Sequence, residues 1–234
     1  MNLPFVIIHF NTPELTTCLC SSIRKFHPNN EIIIFDNSTT RKFPNENVNL
    51  FNITYMDNTD NQILNFDYAF RKFKKDDKIV KQNNLGSAKH CFTVDFLIKI
   101  LDKNFILLDS DVLLKKPIDF INESLITVGL NSKCEQNKNK TRKIRFLPYL
   151  QYFNVDKIKE LNLNYFNPNE ICGLTINSLY DTGASFYKLI KSRFNKNEFN
   201  ENINIFNYIV HFGAASYQKK EWYKFLMRNK RLWT

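Results

Sequence analysis

The chain has 234 residues, of which 43% are hydrophobic, and its 22 phenylalanines supply enough apolar surface for a sizeable core, which excludes a disordered chain. Its net charge of +10 is compatible with nucleic acid or an anionic membrane surface as a partner, because basic surfaces attract both. Since no RNP-like, helix-turn-helix or zinc-finger pattern accompanies the basic residues, we expect no nucleic acid partner.

The sequence also bears on the compartment. No apolar stretch approaches the roughly 18 to 20 residues that span a bilayer, and the N-terminal residues lead into a strand-like run without a basic segment or a cleavage site. We therefore expect a soluble protein that is not exported. The five cysteines contain no CxxC pair, which favours buried, reduced thiols over a zinc site or a full disulfide framework.

The first half of the chain alternates strand-like and helix-like segments. The first helix has clear start signals: Thr12 as N-cap, Pro13 at the first helical position and Glu14 in the first turn. Such alternation predicts an α/β fold with a doubly wound, mostly parallel sheet flanked by helices and joined by right-handed crossovers. The predicted strands are 5–10, 31–35, 49–55 and 105–109, and the predicted helices are 13–26, 67–74 and 88–101.

The second half is less periodic. The Asn- and Lys-rich stretch 133–143 is predicted to be a mobile loop, and short helices are predicted at 156–161 and 184–194. The basic aromatic tail 217–233 is typical of an amphipathic helix, either solvated or attached to a membrane interface. Without an internal repeat or a convincing linker, we expect one domain.

Polar residues follow three of the predicted strands. Asn11, Asp36 and the pair Asp109 and Asp111 each come directly after an apolar run, and ligands of such sheets bind beyond the carboxyl ends of strands. In an extended segment alternate side chains share a face, so Asp109 and Asp111 would point the same way and suit a hard divalent cation holding a diphosphate. The Asp-Ser-Asp triplet alone is a weak motif, and its context carries the interpretation.

Several segments, in order, resemble GT-A fold glycosyltransferases of the family 2 type. Residues 6–15 resemble the opening strand and helix of that family, 35–38 its nucleotide-contacting second strand end, and 84–88 the segment that leads to its DXD motif. Asp181-Thr182-Gly183 and His211-Phe212-Gly213 resemble elements of bacterial members that modify surface polysaccharides or lipid-linked sugars. The glycine-rich acceptor loop and the acidic pair of many members are not evident.

The resemblance implies a function for the whole chain. It implies an inverting, metal-dependent glycosyltransferase that uses Mn²⁺ or Mg²⁺ and moves a sugar from a nucleotide sugar, most often a UDP-sugar, to a glycan or lipid-linked acceptor in surface polysaccharide or lipooligosaccharide synthesis. Residues 1–115 would bind the nucleotide sugar and residues 116–234 the acceptor, within one GT-A-like domain. Its place would be the cytoplasm or the inner face of the cytoplasmic membrane.

The resemblance also implies roles for individual residues. Asn11, Asp36 and Asn37 would bind the base and ribose of the nucleotide, and Asp109 would contact the ribose or a metal-bound water. Asp111 would bind the metal with Asp109 beside it, and His211 would make a further contact with the metal or the diphosphate. Lys219 or Lys220 would balance the charge of the diphosphate, and Asp181 would take the proton from the acceptor.

Each role has a structural alternative. Asp36 can simply end its strand, Asn11 and Asp181 can cap helices, and His211 can pack in a core. Two other functions also remain open. One is sugar nucleotidyltransfer, which normally needs a glycine-rich basic loop near the first strand that a chain with 5 glycines does not offer there. The other is a non-catalytic, basic nucleic-acid-binding module.

Overall fold

The computed structural model describes residues 2–68, 85–132, 136–137, 140–142, 144–167, 174–175, 178–179, 181–212 and 219–234. The chain forms two units, each built from segments that are distant in sequence. Unit 1 comprises Met1–Ile63, Phe105–Ile121 and Asn204–Thr234, and unit 2 comprises Leu64–Asn104 and Asn122–Ile203. The chain therefore leaves unit 1 and returns to it twice.

Helices and strands alternate in the first half, as predicted. The helices are α1 (Pro13–Phe26), α2 (Asn45–Leu50), α3 (Leu85–Ile100), α4 (Val155–Glu160), α5 (Ala184–Arg193) and α6 (Lys219–Arg228). The strands are β1 (Phe5–His9), β2 (Ile32–Asp36), β3 (Ile53–Asp57), β4 (Phe105–Asp109), β5 (Val112–Leu114), β6 (Thr127–Val128), β7 (Gln136–Asn137), β8 (Lys140–Arg142), β9 (Leu150–Phe153), β10 (Leu174–Thr175), β11 (Ser178–Leu179) and β12 (Ile209–His211). Short 3₁₀ helices lie at Ile205–Asn207 and Lys230–Leu232.

The main sheet of unit 1 is parallel, with the order β3-β2-β1-β4. Every residue of β1 and β2 is buried, which explains why these strands are continuous apolar runs rather than alternating ones. The predicted α/β class with a mostly parallel sheet and flanking helices is confirmed. Helix α1 begins as predicted, with Thr12 at the N-cap, proline in the first turn and Glu14 beside it.

One predicted strand begins too early. Residues 49–50 belong to α2, and β3 starts only at Ile53. The short helix begins after Pro44, whose fixed φ suits a helix start, and the chain leaves it through Asn52, at a left-handed φ of 48° that asparagine tolerates.

Two smaller features complete unit 1. Strand β5 pairs with β12 in antiparallel fashion, and Leu114 is anchored to α1 because its N–H donates to Ser22 Oγ at 3.1 Å. Helix α6 packs on α1 through Trp222, which contacts Leu15. Among the helices that the structure describes, none combines the length and apolarity needed to cross a bilayer.

Unit 2 has an aromatic core. Phe146, Phe153, Tyr165 and Phe186 pack with ring centroids 5.2 to 6.2 Å apart. Strands β6 and β9 pair antiparallel, and β10, β11, β8 and β7 form a second sheet.

The predictions for the segments of unit 2 have mixed outcomes. Helices α3, α4 and α5 lie within a few residues of the predicted 88–101, 156–161 and 184–194. The stretch 133–143 is not simply a loop, because β7 and β8 form a hairpin within it. Most of the helix predicted at 67–74 lies outside the described residues.

The described cysteines are buried thiols, as expected. Cys18, Cys20 and Cys91 are free, and burial raises the pKa of Cys18 to about 12 and that of Cys20 as well. Such thiols stay protonated and are poor nucleophiles. Cys134 and Cys172 lie outside the described residues.

Candidate metal and nucleotide site

The carboxyl ends of the parallel strands bring the predicted polar residues to one edge of the unit 1 sheet. His9 of β1 stands opposite Asp36 of β2, and Ile8 stands opposite Asp109 of β4. Asn11 follows β1 by two residues, so it lies at the same edge. The predicted convergence of three strand ends is confirmed.

Asp109, Asp111 and His211 form a cluster at this edge. One ligand atom from each residue lies within 4.8 Å of the others, and His211 Nε2 is 3.3 Å from Asp111 Oδ1. Strand pairing sets this geometry: His211 ends β12 opposite Val112, and the Phe212 N–H donates to the Asp111 carbonyl at 2.9 Å. The cluster therefore joins residues about a hundred positions apart in sequence.

The backbone conformation that brings Asp109 and Asp111 together differs from the predicted one. Ser110 and Asp111 form a turn between β4 and β5, which belong to different sheets, so Asp109 and Asp111 are not alternate residues of one extended strand. The Thr12 hydroxyl donates to Ser110 Oγ at 3.0 Å and ties the turn to the start of α1. This contact between residues 98 positions apart has no signal in the sequence.

The donor set fits a divalent cation. Carboxylates are the usual protein ligands of Mg²⁺ and Mn²⁺, and an imidazole suits first-row transition metals. Two carboxylates this close repel each other, and a bound cation would offset that repulsion. The Asp111 side chain is only 11% exposed and Asp109 is half-buried, so water screens the repulsion between the two carboxylates incompletely.

Asp36 is completely buried and binds protein groups. Its Oδ1 accepts the Ser38 N–H at 2.8 Å, and its Oδ2 accepts the Phe43 N–H at 2.8 Å and the Tyr55 hydroxyl at 2.7 Å. Burial and this hydrogen bond raise the pKa of Tyr55. Asp36 therefore fixes residues 37–43, which we call the rim loop, and its contact with a nucleotide stays a prediction.

Asn11 holds the rim loop from the other side. Its backbone adopts a left-handed φ of 56°, and its Oδ1 accepts the N–H groups of Thr39, Thr40 and Arg41 at 2.9 to 3.1 Å. Thr12, not Asn11, occupies the N-cap position of α1. The structure thus gives Asn11 a loop-organising role, and its contact with a base stays a prediction.

Two further side chains support the rim loop. Asn37 Oδ1 accepts a hydrogen bond from Asn58 Nδ2 at 2.9 Å, so its predicted nucleotide contact also remains a prediction. The ring of His9 is buried beneath the loop, 2.8 Å from Thr16 Oγ1 and 3.3 Å from the Arg41 carbonyl. Burial lowers the pKa of His9, which keeps the ring neutral near pH 7. No sequence pattern points to His9, because it lies inside an apolar run.

Asp181, the candidate base, belongs to unit 2. Its carboxylate accepts hydrogen bonds from Ser87 Oγ at 2.7 Å and from the Thr182 N–H at 2.8 Å, and lies 3.0 Å from the buried guanidinium of Arg145. Gly183, with a φ of 83°, occupies the N-cap of α5, so the helix-cap alternative for Asp181 is wrong. These contacts hold the Asp181 carboxylate beside Arg145, just before the start of α5.

The remaining predicted contact cannot be placed. Lys219 and Lys220 begin α6, but their side chains lie outside the described part of the chain. Their predicted role at the diphosphate therefore stays a prediction.

Comparison with known proteins gives the following. No protein-family model and no curated protein matches the sequence. The chain resembles three solved glycosyltransferases, each at low identity. They are the WbbM bifunctional glycosyltransferase (13% identity, TM-score 0.43, 68% of this chain and 32% of that one), the galactosyltransferase LgtC in complex with donor and acceptor sugar analogues (13%, 0.44, 82% and 66%), and GlyE of Streptococcus pneumoniae TIGR4 (8%, 0.49, 96% and 51%).

These similarities are partial. The chain spans about a third of WbbM, about half of GlyE and just under two thirds of LgtC. At such identities and TM-scores they do not establish a family, and the function proposed below rests on the site itself.

Proposed function

We propose that this chain is a metal-dependent glycosyltransferase that moves a sugar from a nucleotide sugar, with a UDP-sugar as the first donor to test, to a glycan or lipid-linked acceptor. The cluster of Asp109, Asp111 and His211, whose ligand atoms lie within 4.8 Å of one another, carries the proposal. It lies at the carboxyl edge of a parallel sheet, where ligands of such folds bind.

The residues of unit 1 divide the task of donor binding. Asp109, Asp111 and His211 would hold Mn²⁺ or Mg²⁺, and such a cation, when bound, offsets the charge that develops on a diphosphate leaving group. Asp36 and Asn11 fix the rim loop at the same edge, and we propose that this fixed loop contacts the base and ribose.

The proposed reaction is a displacement with inversion. The bond from the anomeric carbon to the diphosphate oxygen breaks, the acceptor oxygen forms a new bond from the opposite face, and the proton of the acceptor hydroxyl passes to a base. Asp181 is the base that we propose to test. Because Arg145 and Ser87 stabilise its charge, the alternative outcome is that Asp181 fixes Arg145 and accepts no proton.

We also propose that the enzyme works at the inner face of the cytoplasmic membrane, in surface polysaccharide or lipooligosaccharide synthesis. Tyr223 is 72% exposed and Met227 46% exposed on α6, with the cations Lys224 and Arg228 on the same helix. Apolar side chains beside cations favour anionic headgroups. In a flotation assay, the wild type should float with anionic vesicles, whereas the double variant Lys224→Gln/Arg228→Gln should not. Equal recovery of the wild type with neutral vesicles would contradict the proposal.

A donor-turnover assay tests the main proposal. We expect release of nucleoside diphosphate from UDP-sugars in Mn²⁺ and its loss in a chelator. Asp111→Asn and His211→Ala should each lower the rate by at least about 10- to 100-fold, the loss that even outer-shell changes at metal sites cause. Asp60→Asn is the matched control, because Asp60 is an exposed aspartate of the same unit.

Two outcomes would overturn the proposal. One is turnover that does not depend on a divalent ion or on Asp111. The other is a folded protein that neither turns over nor binds any nucleotide sugar in Mn²⁺ or Mg²⁺.

A further inference from the structure

Unit 2 contains an open cavity of about 450 Å³ beside helix α5. Its volume falls in the range of small-molecule sites, roughly 300 to 1,000 Å³. One wall is a face of α5, and the other is the segment 162–167 that follows α4.

The segment 162–167 presents two amides to the cavity. Asn162 turns the chain out of α4 at a left-handed φ of 50°, and its N–H donates to the Lys159 carbonyl at 3.0 Å. The next residues alternate: Leu163 and Tyr165 are buried, whereas Asn162 and Asn164 are exposed. Asn162 and Asn164 both line the cavity.

Helix α5 is held by the core on its opposite face. Phe186 and Ile190 are fully buried there. Ser185, Lys188 and Leu189 line the cavity together with Ser192, at the spacing of one helix face. Both walls are therefore formed by the folded unit itself, which leaves little to be ordered when a ligand binds.

The chemistry of the lining favours a sugar with a negative charge. Asparagine amides and serine hydroxyls both donate and accept hydrogen bonds, which suits a polyhydroxylated ligand. Lys188 and Arg193 add two cations, and among the described lining residues there is no carboxylate. A guanidinium binds a carboxylate or phosphate through two parallel hydrogen bonds, whereas a neutral hydroxyl gives neither the charge nor the fork geometry.

We infer that this cavity binds an acidic sugar unit, a hexose that bears a carboxylate or a phosphate. Within the proposed function, on which this role rests, the acidic unit is part of the acceptor glycan. Lys188 and Arg193 select its charge, and Asn162 and Asn164 bind its hydroxyls.

The test is an NMR titration of the whole protein with four probes: glucuronate, glucose 6-phosphate, glucose and inorganic phosphate. We expect at least one acidic hexose to bind about tenfold or more tightly than glucose, as a charge-assisted hydrogen bond provides. Lys188→Gln/Arg193→Gln should reduce its affinity to that of glucose. Lys196→Gln, a change of an exposed lysine in the same unit, should leave it unchanged.

The relative affinities also identify the charged group and can refute the inference. A preference for glucuronate assigns a carboxylate, and one for glucose 6-phosphate assigns a phosphate. Inorganic phosphate that binds as tightly as the phosphosugar would show an anion site without sugar recognition and would overturn the inference. So would equal affinity for glucose and both acidic hexoses, or the absence of binding at millimolar concentrations.

A second experiment separates this inference from the proposed function. Asp111→Asn should abolish donor turnover but leave binding of the acidic sugar intact. If the wild type binds the acidic sugar but shows no donor turnover, the proposed glycosyltransferase function is rejected and the sugar-binding cavity stands. If the wild type turns over the donor but binds no acidic sugar, the cavity is rejected and the glycosyltransferase function stands. Asn164→Ala should raise the KM for an acidic acceptor.

Discussion

Replacement of Asp36 by asparagine tests whether this carboxylate fixes the rim loop or only binds a nucleotide. The carboxylate accepts three hydrogen bonds, from the N–H groups of Ser38 and Phe43 and from the Tyr55 hydroxyl, and it is completely buried. In Asp36→Asn the amide oxygen can take the place of Oδ2 and accept from the Phe43 N–H and the Tyr55 hydroxyl. The NH₂ group then faces the Ser38 N–H, which is also a donor.

The expected cost follows from these contacts. One hydrogen bond to a charged acceptor is lost, worth about 1.5–3 kcal/mol, and a buried donor is left unsatisfied at a further 1–3 kcal/mol or so. Allowing for partial relaxation, we expect Asp36→Asn to lower the free energy of unfolding by about 3–5 kcal/mol. Urea unfolding followed by circular dichroism measures this loss.

Asp57→Asn is the matched control for this prediction. Asp57 pairs with Asp36 in register at the end of the neighbouring strand, but its side chain is 43% exposed. We expect the same substitution there to cost no more than about 1 kcal/mol, as for exposed polar pairs. If Asp36→Asn costs no more than Asp57→Asn and only raises the KM of the donor, Asp36 is a ligand-binding residue and the loop-fixing role is refuted.

Three further outcomes are expected. Burial lowers the pKa of His9 below its ordinary value of 6.5, so as the pH falls His9 is protonated in the unfolded chain before it is protonated in the folded one. The free energy of unfolding should therefore fall as the pH drops below 6.5, and His9→Gln should reduce this pH dependence in urea titrations. Arg145→Met leaves the Asp181 carboxylate without its guanidinium and should cost about 3–5 kcal/mol in chemical denaturation, whereas Arg145→Met/Asp181→Leu should cost less. Mn²⁺ at 100 times its Kd should stabilise the wild type by about 2.7 kcal/mol in calorimetry, and equal stabilisation of Asp111→Asn would contradict the site.

The sheet and its polar edge could be predicted because their signals are local. The apolar runs of β1, β2 and β4 and the start of α1 at Thr12 and Pro13 are visible within a few residues. Parallel pairing then forces the strand ends to one edge. The cluster at that edge was predicted in part from the resemblance, since nothing local links His211 to Asp111.

The partners of the predicted residues could not be predicted, because they depend on packing between distant segments. Neither the Tyr55 hydroxyl on Asp36 nor Arg145 beside Asp181 follows a periodic pattern. The turn at Ser110 likewise depends on Thr12, 98 positions away. The position of an aspartate at a strand end therefore predicts which edge of the sheet it lies on. Its role depends on its burial and on the hydrogen-bond donors around it, which the structure shows.

That distinction separates two kinds of carboxylate at one edge. Hydrogen-bond donors of the protein offset the charge of Asp36, so this carboxylate fits its place without any ligand. Asp109 and Asp111 lie close together beside His211, and a divalent cation would relieve the repulsion between the two carboxylates. The edge thus combines a loop fixed by the protein with a group of ligands suited to a metal, and a diphosphate bound through that metal would lie where the fixed loop can meet its nucleoside.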